Sequence, residues 1–390
     1  MRAALSAVAL LLVGCAGGQT QVAQDLALTG EAIFVGPVLA TGLATGRDAA
    51  EGPDLLWLAD DHLVRTLSKD GAEEEAWKPP LFSRLIRFEA ADLDGDGIHE
   101  WVVLLDQGHM RSLIIGVDED GARAQVGKPY SGYLRPLVDA SGAVVLVGQR
   151  AGADAPFRGQ VQRVERDEAG KWIQGESLGL PADVAIYDFF VLPTGDEHGR
   201  LFGADDLGKL TERDPRTPRS VTWRSDDRVA GRPLEIERNY QNLLGESQEE
   251  TLALLPPVTL LGDNDGDGLS EVLLVGGVHN PVAVLRNLRV WQGGDVRLYR
   301  PSTRGLEEVR RTPLVGRAVV AATTWQIGPN DTVWAAAVWT RPAGGMARPE
   351  SRVFLFDPAT GDLLGSGPRI PTPPATPVGG KGANSGGSPE

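Results

Sequence analysis

Apolar residues in this chain gather in short runs, each broken by a polar turn and answered by a second run. Val35 to Leu43 is followed by a polar stretch and then by Asp54-Leu55-Leu56-Trp57-Leu58. Leu134 to Val138, a Ser141-Gly142 turn and Val144-Val145-Leu146-Val147 repeat the arrangement. So do Ala185 to Leu192 with Leu201-Phe202-Gly203, and Val319 to Trp325 with Pro329-Asn330-Asp331 and then Val333 to Val338. Two more copies end in Trp101-Val102-Val103-Leu104-Leu105 and Val272-Leu273-Leu274-Val275, each preceded by an acidic turn. Runs of this length bounded by turn residues predict strands. The residues marking the second run are Asp54, Glu100, Ala143, Arg200, Glu271 and Thr332. Early in the chain the markers follow the ~40–50-residue period of a four-stranded repeat unit. Later steps are wider and leave room for insertions or for another unit around Ser220-Val221-Thr222-Trp223. The segment from about Asn239 to Glu250 is the best helix candidate, expected as an inserted loop element. Short strands punctuated by 49 Gly and 27 Pro predict an all-β chain.

The acidic turns carry the most specific chemistry. Asp92-Leu93-Asp94-Gly95-Asp96-Gly97-Ile98-His99-Glu100 and Asp263-Asn264-Asp265-Gly266-Asp267-Gly268-Leu269-Ser270-Glu271 share acids at positions 1, 3, 5 and 9. Calcium takes six to eight hard oxygen ligands, and alternating acids on a curled loop deliver them. Glycine at position 6 permits the sharp turn, and position 7 (Ile98, Leu269) is expected to contribute its backbone carbonyl. An EF-hand is excluded, because position 12 is Val103 or Leu274 and strand-like runs follow each loop where helices are required.

An apolar run, D-x-D-x-D-G-x-x-E and a second apolar run together resemble the FG-GAP and VCBS repeats of integrin-α-type β-propellers. The resemblance implies a β-propeller over residues 31–368, with each loop joining neighbouring strands of one blade. It implies six or seven blades, seven being favoured because the family commonly has seven. It also implies two Ca2+ sites, held by Asp92, Asp94, Asp96 and Glu100 and by Asp263, Asp265, Asp267 and Glu271. The family more often has Asp at position 9, so Glu100 and Glu271 are longer by one methylene. His99, at position 8, is expected to point away from the metal and into solvent.

The chain ends differ from this body. Arg2 and the apolar stretch Ala3 to Val13 read as a secretory signal occupying residues 1–14, too short for the ~20 residues of a membrane span. Leu12-Val13-Gly14-Cys15 resembles the lipobox of bacterial lipoproteins, which implies lipidation at Cys15, the single cysteine. Residues 15–30 then form a tether. Ala16 in place of Asp favours the outer membrane under enteric-type sorting, so the expected location is the cell envelope. Residues 369–390, a Pro-rich run passing into Gly and Ser, are expected to be a disordered tail.

The net charge of −15 and the lack of a basic cluster argue against nucleic acid as a partner. Gly175-Glu176-Ser177-Leu178-Gly179 matches G-x-S-x-G, but Pro181 follows and no amphipathic helix succeeds it, so a nucleophile elbow is not expected. His62, His99, His109, His198 and His279 have no zinc spacing, and phosphate-binding glycine motifs are missing. Most of the nine tryptophans are expected to pack between blades. The leading expectation is a calcium-binding lipoprotein scaffold for a protein or polysaccharide. The alternative is an envelope hydrolase or lyase acting in the propeller funnel.

Overall fold

The computed structural model describes residues 33–364, apart from 37–39, 51, 68–72, 153–155, 182–183, 195–198, 206–207, 218, 230–237, 242–246, 251–254, 256, 263–268, 282–288, 317, 328–330 and 341–349. Strand β1 (Ile33–Gly36) comes first. Blade one is β2 (Ala40–Gly46), β3 (Leu55–Asp60), β4 (Val64–Leu67) and β5 (Glu73–Trp77). Blade two is β6 (Arg84–Ala91), β7 (Glu100–Asp106), β8 (Met110–Val117) and β9 (Arg123–Ser131). Blade three is β10 (Tyr133–Val138), β11 (Val144–Ala151), β12 (Phe157–Arg166) and β13 (Trp172–Ser177). Blade four is β14 (Phe189–Leu192), β15 (Arg200–Ala204), β16 (Lys209–Arg213) and β17 (Val221–Arg228). A separate hairpin, β18 (Arg238–Gln241) with β19 (Ser247–Glu250), precedes blade five: β20 (Thr259–Leu260), β21 (Val272–Pro281), β22 (Arg289–Pro301) and β23 (Leu306–Arg311). Blade six is β24 (Ala318–Gln326), β25 (Thr332–Thr340) and β26 (Glu350–Phe356), with β1 as its outermost strand. The protein is a six-bladed β-propeller, closed by pairing β1 with β26, the first and last of the described strands.

Every adjacent pair of blades shares a layer of core, and the second strand of a blade feeds two layers at once. In β3, Leu56 and Leu58 pack toward blade six, while Trp57 and Ala59 pack toward blade two. In β25, Val333, Ala335 and Ala337 face blade one, and Trp334, Ala336 and Val338 face blade five. In β21, Leu273 and Val275 face blade six while Val272 and Leu274 face blade four. Successive side chains of a strand point to opposite faces, so a strand buried on both must be apolar throughout. Trp57, Trp101, Trp325 and Trp334 are all buried in these layers, as blade packing requires.

Three expectations are corrected. The blade number is six, within the expected six or seven though not the favoured seven, because Val221–Arg228 is the outer strand of blade four, pairing Arg224 with Thr211. The helix candidate is a hairpin in its described parts, with Arg238 opposite Glu250 and Gln241 opposite Ser247. Gly245 would weaken a helix interior. The run Val35 to Leu43 belongs to two blades, since β1 pairs with β26 and β2 pairs with β3. Gly36-Pro37 is where the sequence marks that break.

Candidate metal loop and axial funnel

The first acidic turn joins the inner strand of blade two, β6, to its second strand, β7. Ala91 pairs with Glu100, so the two ends of the loop are held by the sheet. Gly95 and Gly97 adopt φ of 81° and 85°, left-handed values that suit glycine. The carboxylates then turn inward on their own backbone. Asp92 accepts from the Gly95 and Gly97 amides at 2.7 and 2.9 Å, and Glu100 accepts from the Leu93 amide at 2.8 Å. The result brings one carboxylate oxygen each of Asp92, Asp94 and Glu100 within 4.8 Å of one another.

Asp96 stands outside that trio. Its carboxylate accepts from the Ile98 amide at 2.7 Å, and its own amide donates to Asp94 at 3.3 Å. Asp94, Asp96, Ile98 and Glu100 border one cleft of about 520 Å3 between blades two and three, with Arg163 and Trp172 on its far wall. Burial raises the pKa of Glu100 above the ordinary carboxylate value, and the charges of Asp94 and Asp96 add to the rise. The Leu93 amide opposes it. A hard cation among these oxygens would remove that penalty, and an all-oxygen donor set is the kind calcium takes.

In the second loop, Asp263, Asp265 and Asp267 lie outside the described residues. Leu269 and Glu271 are described, and Glu271 is buried immediately before β21, where its carbonyl accepts from the Leu261 amide at 2.8 Å. It occupies the position that Glu100 holds in blade two.

His99 is half-buried rather than projecting into solvent. Its amide donates to the Arg47 carbonyl at 2.9 Å, and its ring lies so close to Gly46 that a Cβ there would come within 2.5 Å of Cγ. Desolvation lowers its basicity. Arg123, from β9, donates to the His99 carbonyl at 2.7 Å, pairs with Asp48 and lies 4.1 Å above the Trp101 ring. One buried arginine thus ties the loop to blade one.

The six inner strands enclose an axial funnel of about 400 Å3. Thr45, Glu89, Arg135, Val191, Thr259 and Thr324, one from each inner strand, line it. Asp92 and His99 reach the same mouth, so the acidic loop stands between funnel and interblade cleft. Glu89 bonds the Arg87 guanidinium at 2.5 Å and lies 4.0 Å from that of Arg135. Arg87 also donates to the Leu255 carbonyl at 3.2 Å, and Arg135 to those of Ile186 and Phe189 at 3.0 and 2.8 Å. Asp188, beside both arginines, is pushed up to about 7 by burial, against the pull of the Leu255 amide and the cations. Sequence reading missed this cluster. The available signal was a charge in strands that have no solvent face: Arg87 and Glu89 in β6, Arg135 in β10.

Ser177 ends the outermost strand of blade three, where its hydroxyl donates to Gln160 at 2.9 Å and no helix follows among the described residues. A nucleophile elbow is therefore missing at that serine. Cys15 lies outside the described residues.

No protein-family model matches the chain. No curated protein matches it either. Among solved structures, it is similar to a chain of the "Mitotic Checkpoint Complex", at 12% identity and TM-score 0.42, covering 85% of this chain and 93% of that one. It is also similar to a mutant of AofleA from Arthrobotrys oligospora, at 12% identity and TM-score 0.45, covering 87% and 90%. Likenesses this distant concern the fold alone, and the propeller assignment rests on the strand order given above.

Proposed function

We propose that this chain is a calcium-stabilised binding scaffold, anchored to the cell envelope through lipid on Cys15, that presents its loop face to a protein or polysaccharide. The observation that carries the reading is the convergence of Asp92, Asp94 and Glu100 on a loop clamped at both ends by strands. These three residues, with the Ile98 carbonyl and water, would hold the ion; Asp96 would support the loop by capping the Ile98 amide. The bound ion would fix the loop between the two cavities it borders. The second loop, through Asp263, Asp265, Asp267, Leu269 and Glu271, is proposed as an equivalent site in blade five.

Calcium titrated calorimetrically into the chelated mature protein should give two sites. At ~1 mM calcium and Kd ~10⁻⁴ M, each contributes about 1.4 kcal/mol to stability. Asp94→Ala should remove one site and about half of the calcium-dependent shift in melting temperature. Asp94 is exposed, so the apo fold should be untouched. A melting temperature indifferent to chelator, with no binding heat, would remove the calcium reading. Lipidation is tested separately: Cys15→Ser should leave the protein out of the membrane fraction, and a variant still recovered there as mature lipid-modified protein would refute the anchor.

A further inference from the structure

The axial funnel holds a polar cluster that its own residues do not satisfy. Arg87 and Arg135 are each only 4% exposed. Even so, Nη2 of Arg87 and Nε of Arg135 have no hydrogen-bond partner among the described residues. A buried donor left without a partner costs stability and marks a place where water or a ligand belongs. Two guanidinium groups share the single carboxylate of Glu89, the nearer at 2.5 Å and the farther at 4.0 Å. Asp188, the other acid beside them, has one buried carboxylate oxygen with no hydrogen-bond partner among the described residues.

The walls above this floor have a different chemistry. Thr45, Thr259, Thr323 and Thr324 line the funnel. The Thr45 and Thr323 hydroxyls lie 3.1 Å apart, and Thr259 donates to the Ala322 carbonyl at 2.9 Å. A volume of about 400 Å3 falls in the ~300–1,000 Å3 range of small-molecule sites. Hydroxyls on the side formed by blades one, five and six suit a polyhydroxylated solute, and a guanidinium suits a carboxylate.

We propose that the funnel binds one sugar acid, its carboxylate set against Arg135 with Arg87 behind and its hydroxyls against the threonine wall. The ligand carboxylate would meet the donor that Glu89 leaves without a close partner, Nε of Arg135. A phosphate, with its second charge, would meet stronger repulsion from the Glu89 and Asp92 carboxylates that line the funnel. The inference rests on reading the protein as a binding platform, but it needs no calcium.

The test is calorimetric titration of the mature protein, held in chelator, with D-glucuronate, glucose and inorganic phosphate. Glucuronate should bind at one site per chain, with glucose and phosphate at least tenfold weaker. Arg135→Met should weaken glucuronate tenfold or more. Should that variant fail to fold, Ala91→Phe decides, because it narrows the mouth and leaves the cluster intact. Absence of glucuronate heat, equal affinity for glucose, tighter binding of phosphate, or unchanged affinity in Ala91→Phe would each overturn the proposal. Failure of the calcium titration would leave this result standing, and the converse also holds.

Discussion

Replacing Trp101 by alanine is expected to cost roughly 3–5 kcal/mol of folding stability, the range for emptying a large buried aromatic site. Trp101 follows Glu100 directly and is fully buried between blades one and two. Its ring meets Trp57 edge-on at 5.3 Å and Phe88 at 5.5 Å, and Arg123 covers its face. The variant therefore opens a cavity and unseats the arginine that holds the His99 carbonyl and Asp48. Trp101→Phe should lose well under half as much. It keeps most of the apolar contact, and the indole N–H it discards has no partner among the described residues. Urea unfolding followed by circular dichroism measures both. An alanine variant whose midpoint stays at the wild-type value would contradict the packing described for the interface of blades one and two.

The second large effect depends on pH. In an unfolded chain Asp188 would titrate near ~3.9, whereas burial holds it at about 7 in the fold. Between those values the folded protein keeps a proton that the unfolded chain has released. Stability from this group is therefore complete below pH ~4, falls as pH rises toward 7, and levels off above that. The loss amounts to at most about 4 kcal/mol, taking ~1.36 kcal/mol for each pH unit. Asp188→Asn carries no titrating proton there, so its stability should be flatter across the window and should exceed that of the wild type at pH 8. Denaturation at pH 4.5, 6 and 8 for both proteins isolates the contribution, since the other ionisable groups cancel in the comparison. Parallel pH profiles would show that Asp188 is ionised throughout. The neighbours that could keep it so are Arg87, Arg135 and Arg213.

The sequence pattern exposed the inner half of the propeller and little of the outer half. Asp54, Glu100, Ala143, Arg200, Glu271 and Thr332 each stand at the start of the second strand of a blade, all six of them. That strand is buried on both faces, so it appears as an unbroken apolar run. The outer strands lack such a signature. In β13, Trp172–Ser177, every position is half-buried or exposed and none is buried, and β12 is mostly polar. Such strands cannot be assigned to a blade from composition, which is why Val221–Arg228 was open to reading as part of a further unit. The wide spacing before Glu271 has a similar origin, since the β18–β19 hairpin lies between blades four and five.

The acidic loop was legible as a motif but not in its division of labour. Spacing treats Asp92, Asp94, Asp96 and Glu100 alike, yet only three of the four converge. Asp96 is diverted because its carboxylate is placed to cap the amide two residues ahead, a local competition characteristic of Asp in turns. The funnel cluster was hidden for a different reason. Arg87, Glu89 and Arg135 come from different blades or alternate with apolar residues, and their meeting on one axis is a property of the closed ring.

That closure also sets the order in which the molecule can assemble. Each inner hairpin joins residues close in sequence, and closing a loop of ~6 residues costs about 1.6 kcal/mol of chain entropy. The seam between β1 and β26 is another matter: close to it, the Ala40 amide meets the Ser351 hydroxyl across 311 residues. A loop that long costs about 5 kcal/mol to close, unless intervening blades have already drawn its ends together. Blades one to five can form as their strands emerge, each from local pairings. The leading strand must wait, unpaired, until the last one arrives. Once β26 has paired with β25, and before β1 docks, it presents an open edge that a strand from a second molecule could occupy. A ring fastened by its two ends thus keeps its most vulnerable interval for the end of synthesis, and any factor that shields Ile33–Gly36 during that interval would govern yield rather than final stability.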